Sequence, residues 1–255
     1  MHINEQVVFN NMVIGWFALA VIVFISLFFF NAPYGRFARR NWGLTINPKI
    51  GWLIMEIPAP LTFLIFFLVS SQSLNLVSII FLLLWQAHYI HRSFIYPLTL
   101  RGQTKRMTVI VVIFAFIFNM LNGYLNGRYL FTLSGGYVNE WMIDPRFLIG
   151  LMLFIVGFII NRQSDLILHN LRTQDESGYI IPYSGLFQWI SCPNYLGEIL
   201  IWSGWAIATW SLPGLAFAVW TIANLVPRAR SYHQWYHQNF PSYPTERRVL
   251  IPKLW

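Results

Sequence analysis

The chain has 255 residues, of which 56% are hydrophobic and only 10% charged. A water-soluble domain carries about 25% charged residues, so this composition excludes an ordinary soluble enzyme and requires a lipid solvent. The formal charge of +8 resides in arginines and lysines placed between apolar runs and does not by itself point to nucleic acid.

Runs of about 20 apolar residues, the length that crosses a bilayer, predict about seven transmembrane helices: 11–31, 50–70, 74–92, 107–125, 147–162, 194–211 and 213–230. The first run follows Met-His-Ile-Asn-Glu, without a basic n-region, and reads as a retained helix. Arg36, Arg39, Arg40 and Lys49 lie between runs one and two, and Arg92, Arg101, Lys105 and Arg106 between three and four. Arg162 and Arg172 follow run five, and Arg228, Arg230, Arg247, Arg248 and Lys253 follow run seven, leaving Arg128 and Arg146 for the other side. The positive-inside rule makes the rich side cytoplasmic, with the N-terminus outside and the C-terminus inside. The fold class is therefore all-α integral membrane. Residues 1–255 read as a single seven-helix domain with cytoplasmic loops near 32–49, 93–106 and 162–193 and a tail at 229–255. Run six passes into run seven through Ser211-Leu212-Pro213 as a tight hairpin. The single cysteine, Cys192, permits no internal disulfide and reads as a small buried apolar residue.

Charge inside a bilayer is costly and marks function or pairing. Glu56 stands in the second run, about 9 Å beyond its cytoplasmic start at 1.5 Å per residue. Pro58 removes a backbone donor beside it, which predicts a kink. The third run descends to Trp85-Gln-Ala-His-Tyr-Ile-His-Arg92 and brings Tyr89 to a similar depth. The spacing leaves two readings of Tyr89 open: an interfacial aromatic anchor, or a phenol that joins a carboxyl group in polarising a carbonyl oxygen. Asn161, Asp165, Asn170 and Arg172 leave the fifth run, Asn194 and Glu198 share a face of the sixth, and Arg228, Tyr232 and Tyr236 share one at the end of the seventh. Arginine and amide groups in this arrangement suit phosphate oxygens. No G-x-G-x-x-G or Walker sequence is present, so a nucleotide site here is neither a Rossmann fold nor a P-loop. His233 and His237 read as tail histidines and not as metal ligands, and no metal is expected.

Several blocks carry a resemblance. They are Trp52…Glu56-Ile-Pro58; His88-Tyr-Ile-His-Arg-Ser-Phe-Ile-Tyr96; Asn161…Ser164-Asp165; Leu171-Arg172; and Gly178-Tyr179-Ile-Ile-Pro182. Further blocks are Gly185-Leu-Phe187, Asn194-Tyr-Leu-Gly-Glu198, Ala208-Thr-Trp-Ser-Leu-Pro213, Arg228-Ala229 and the tail Tyr236…Phe240…Tyr243-Pro244…Arg247…Leu250-Ile-Pro252. Over roughly residues 34–255 the chain resembles the membrane steroid 5α-reductases, and is similar to what a bacterial homologue of that family would be. The resemblance implies a seven-helix, NADPH-dependent reductase of 3-oxo-Δ4 steroids or similar lipophilic enones. In it, Glu56 and Tyr89 act on the C3 oxygen, and hydride is added at C5 and a proton at C4. It implies cofactor binding by Asn161, Asp165, Arg172, Tyr179, Asn194, Glu198, Arg228 and Tyr236, with Tyr34, Arg92, Tyr96 and Arg101 as further contacts. Trp52 and Met55 join Glu56 and Tyr89 at the substrate. Met55 stands where the family commonly has glutamine; Gln103 and Tyr232 replace a basic residue and a histidine. The expected partners are a steroid-like substrate arriving from the bilayer and membrane lipid, with no nucleic acid. The expected location is a bacterial inner membrane or an endomembrane, with the active site toward the cytoplasm. The tail also resembles isoprenylcysteine and phospholipid methyltransferases, which implies the alternative of an S-adenosylmethionine-dependent methyltransferase.

Overall fold

The structure is a computed structural model that describes residues 4–30, 37, 43–70, 75–100, 106–171 and 179–255. It is mostly helical: α1 (Glu5–Phe29), α2 (Pro48–Glu56), α3 (Pro58–Leu68), α4 (Leu76–Ile90), α5 (Tyr96–Thr99), α6 (Val109–Arg128), α7 (Pro145–Asn170), α8 (Pro193–Thr209) and α9 (Leu212–Asn239). Among the described residues four helical segments, 5–29, 48–68, 109–133 and 145–170, are long and apolar enough to cross a membrane. Their outer faces carry Ile14, Ile65, Phe114 and Met152, each more than half exposed. In water such surfaces would aggregate; in lipid they meet their own kind. The chain is a mostly helical membrane protein.

Contacts sort the helix ends into two groups. At the end bearing the N-terminus, Arg128 closes α6 on Glu5 of α1 at 2.7 Å, Ser70 after α3 donates to Phe131 O, and Trp141 before α7 donates to Ala208 O near the end of α8. At the opposite, basic end, Arg230 of α9 covers Phe28 of α1. There, a two-stranded antiparallel clip, β1 (Thr45–Ile46) with β2 (Met107–Thr108), ties the starts of α2 and α6. These contacts place the two ends of α1, of the α2–α3 run and of α6 at opposite ends of the bundle. Trp210 in the left-handed region ends α8, and Ser211 Oγ caps α9 by accepting from Gly214 N, which makes the short hairpin anticipated between these runs.

Pro58 lacks an N–H, and the second run divides at Ile57 into α2 and α3 with Glu56 at the junction, as the proline predicts. Several helices extend beyond their apolar runs. The helix after α4 continues from His91 to Ile95 as a π turn, in which Tyr96 N bonds to His91 O, and then enters α5. Pro97 brings no donor to the ladder at this point, and wider turns of this kind concentrate at functional sites. α7 runs on to Asn170 and α9 to Asn239. The loops expected near 93–106 and 162–193 and the tail from 229 therefore begin as helix. Hydropathy reports where lipid-like sequence stops, whereas backbone bonding continues past it.

α7 and α8 pack backbone to backbone. A Cβ on Gly150 would lie 2.3 Å from Ala208 N, on Gly157 2.6 Å from Gly197 O, and on Gly204 2.6 Å from Gly150 O. Small residues let helices approach this closely where water gives no hydrophobic drive. A Cβ on Gly197 would lie 2.7 Å from Cβ of Asn161, so the same contact delivers Asn161 to α8.

Candidate active site

An aromatic core fills the bundle beside the α2–α3 junction. Phe63 stacks on Trp85 at 4.5 Å, Trp85 meets Tyr89 at 5.0 Å, and Trp202 meets Phe217 at 4.2 Å. Trp85 and Gln86 of α4 donate to the carbonyls of Ala59 and Pro60 in α3, which sets the register of Tyr89 against Glu56. Helix α6 then links the two. Asn119 Nδ2 donates to Met55 O at 2.6 Å and to Glu56 Oε2 at 3.2 Å, and Asn122 Nδ2 donates to Tyr89 Oη at 3.3 Å. Asn119 and Asn122 are three residues apart and so share a face. Tyr89 is 3% exposed, a position inside the fold and not on a headgroup belt. Met55 is buried as well.

Toward the basic end, a polar cluster joins α4, α7 and α8. Asn161 Nδ2 donates to Asn194 O at 2.9 Å and to Glu198 Oε1 at 3.1 Å. Glu198 also accepts from Trp202 Nε1 at 3.1 Å and lies 3.6 Å from His88 Nε2. Arg92 stands 3.9 Å from Glu198 and 4.0 Å from Asp165, with its guanidinium over Trp52 at 4.8 Å and Tyr96 at 5.0 Å. Arg162 is paired with Asp165 at 3.5 Å and with His91 at 2.7 Å and donates to Asn161. On α9, Arg228 Nε donates to Tyr195 Oη, the residue after Asn194, and Nη2 to Tyr232 Oη. Tyr179 meets Trp235, and Tyr236 stacks on Tyr243 at 4.9 Å. Of the residues expected at this end, the structure gathers Asn161, Asp165, Asn194, Glu198, Arg92 and Tyr96 into one cluster. It attaches Arg228 through Tyr195 and places Tyr179 and Tyr236 in the adjoining tail. Tyr34, Arg101, Gln103 and Arg172 lie outside the described residues.

The donor set suits an anionic dinucleotide. Arg162 Nε, His91 Nδ1 and Arg247 Nε and Nη1 are buried and have no hydrogen-bond partner among the described residues. Arg247 is 3% exposed and lies between the rings of Tyr183 and Tyr243. Buried cationic donors left short of acceptors are costly and favour a ligand that supplies them.

The family profile described as 3-oxo-5-alpha-steroid 4-dehydrogenase matches residues 105–255. A steroid 5-alpha-reductase of Gossypium hirsutum is 41% identical over 255 residues, covering 98% of each chain. The chain belongs to the steroid 5-alpha-reductase family. The 3-oxo-5-alpha-steroid 4-dehydrogenase 1 of Bos taurus is 40% identical over 241 residues and 93% of each chain, and that of Homo sapiens 40% over 227 residues, 88% of this chain and 86% of the relative. A steroid 5-alpha-reductase is an oxidoreductase acting on a CH–CH bond, which decides against the methyltransferase alternative.

The candidate site also contains residues to which the sequence reading gave no role in it: Asn119, Asn122, Asn126, His88, His91, Arg162 and Arg247. The asparagines carried a usable signal, because three amides at helical spacing in an apolar run need partners. The tail adds one more polar knot. Ser191 Oγ lies 2.6 Å from His233 Nδ1 and 2.7 Å from Tyr243 Oη. Burial, and then the charges of His237 and Arg248, push His233 down to about 4. The folded value lies below the ordinary 6.5, so the unfolded tail takes up the proton first. The contribution of this knot is complete above pH 6.5 and is lost as pH falls toward 4. Hydrogen exchange of the tail in detergent is expected to lose protection over that window, and His233→Asn to flatten the change.

Proposed function

We propose that the chain reduces the Δ4 double bond of a 3-oxo-Δ4 steroid or a similar lipophilic enone, using NADPH. The observation that supports this reading is that Asn119 and Asn122, on one face of α6, hold Glu56 and Tyr89, beside an aromatic core and next to the polar cluster that begins at His88. Glu56 and Tyr89 bind the 3-oxo oxygen and stabilise the negative charge that grows there, which makes C5 electrophilic through conjugation. NADPH, when bound, supplies the hydride that enters at C5. C4 takes up a proton, and the double bond is saturated.

Trp52 and Met55 line the substrate with Glu56 and Tyr89. Asn161, Asp165, Asn194, Glu198, Arg228, Tyr179 and Tyr236 hold the cofactor with Arg92 and Tyr96. Arg172, Tyr34 and Arg101 complete the set from the loops, and Arg162 and Arg247 add charge. The chain spans the bilayer seven times as one domain, with the basic end, and hence the cofactor, at the cytoplasmic face of a bacterial inner membrane or an endomembrane. The steroid reaches its pocket from the lipid, where its solubility is greatest.

Purified protein in lipid with NADPH and a 3-oxo-Δ4 steroid is expected to consume NADPH and yield the 5α-dihydro product. Absence of turnover across a panel of such enones, with folded protein demonstrated, rejects the proposal. NADPH, and not S-adenosylmethionine, is expected to raise the melting temperature, by linkage to the folded state.

A further inference from the structure

Four polar groups stand in single file through the apolar centre of the bundle, and the chemistry of the first sets the direction of the rest. The indole of Trp205 donates and cannot accept, so its Nε1, 2.9 Å from Asn126, faces the amide oxygen Oδ1. The Nδ2 of Asn126 is then the donor to Asn122, at 3.0 Å to Oδ1 and 3.1 Å to the backbone oxygen. With its oxygen so occupied, Asn122 turns its own Nδ2 to Tyr89 Oη. Trp205, Asn126, Asn122 and Tyr89 are each 3% exposed or less, so no bulk water competes for these bonds.

A hydroxyl that accepts from an amide at this side must send its own proton elsewhere. We infer that Trp205, Asn126 and Asn122 form a one-way donor chain that keeps the Tyr89 proton turned from α6 toward the carbonyl oxygen of the substrate. The inference rests on the proposed role of Tyr89 and adds three positioning residues to it. Successive bonds in a low-dielectric interior polarise one another, by about 10–30% per bond, and the phenol becomes a stronger donor as charge grows on the oxygen it faces. The gain is therefore largest in the transition state and belongs to kcat more than to KM.

Two variants test this in the full-length protein. Asn122→Leu keeps the branched skeleton and removes the donor; Trp205→Phe keeps an aromatic ring and removes the N–H that sets the direction. Asn122→Leu is expected to lower kcat about 100-fold, the scale for one lost donor at a developing oxyanion, with KM and the NADPH dissociation constant within about two-fold. Trp205→Phe is expected to move kcat the same way by about three-fold or more. A second reading needs no turnover: the infrared carbonyl stretch of a 3-oxo-Δ4 steroid bound without NADPH is expected to rise toward its free value in both variants. Wild-type kcat in Asn122→Leu, an unmoved carbonyl band, or a loss confined to thermal stability and NADPH binding overturns the donor chain. A wild type that binds and reduces no such steroid instead rejects the proposed reaction.

Discussion

Glu56→Gln is expected to lower kcat by about two to four orders of magnitude, the usual worth of a positioned acid–base group, while NADPH affinity stays near wild type. Glutamine matches the glutamate in size, and its amide oxygen still accepts from Asn119, so the α2–α3 junction keeps its shape. What it loses is the carboxyl group's capacity to share or release a proton at the substrate oxygen. The polar cluster around Asn161, Glu198 and Arg92 is held by its own contacts among α7, α8 and the turn after α4, and the proposed NADPH site draws on those contacts. Steady-state kinetics with equilibrium NADPH binding on the same preparation separates the two effects. A normal rate in Glu56→Gln removes Glu56 from the chemistry.

Gly157→Leu is expected to cost about 3 kcal/mol, the upper range for an overpacked interior, and to lower the melting temperature in detergent by roughly 6–12 °C. The new side chain would begin 2.6 Å from both Gly197 O and Ile201 N, and backbone atoms in a helix cannot yield as a side chain does. α7 must move away from α8, carrying Asn161, one turn farther along α7, off Asn194 and Glu198. NADPH binding is therefore expected to weaken together with stability. Gly15→Leu is the control: a Cβ there meets nothing within 4 Å, so its melting temperature is expected to stay within about a degree of wild type. Equal melting temperatures for the two leucine variants overturn the reading of the α7–α8 contact.

Much of the architecture was legible locally. Composition required a membrane, the spacing of apolar runs located the helices, and Pro58 marked the break beside Glu56. The one-sided arginines pointed to the end where the polar cluster forms. Glu56 and Tyr89 stood out because an acid in an apolar run, and a phenol at matching depth, are local facts about a helix and its direction. Asn161, Asn194 and Glu198 were similarly visible at the mouths of their helices.

The tertiary structure decided what those groups touch. Asn119 reaches Glu56 across 63 positions and Asn122 reaches Tyr89 across 33, so no periodicity along α6 reveals either partner. Arg162 read as a topological charge until the packing of α7 beside the turn after α4 brought it to His91, next to its helix neighbours Asn161 and Asp165. The continuation of α7 to Asn170 escaped the hydropathy signal because a helix that leaves lipid keeps its backbone bonds while its side chains turn polar. By itself the sequence determined the solvent, the positions of the apolar helices and the prominence of Glu56 and Tyr89, since each follows from neighbours along the chain. The hydrogen-bond partners of those groups were set by packing between distant segments, and only the folded bundle, where glycines bring α7 onto α8 and α6 crosses beneath Glu56 and Tyr89, supplies them.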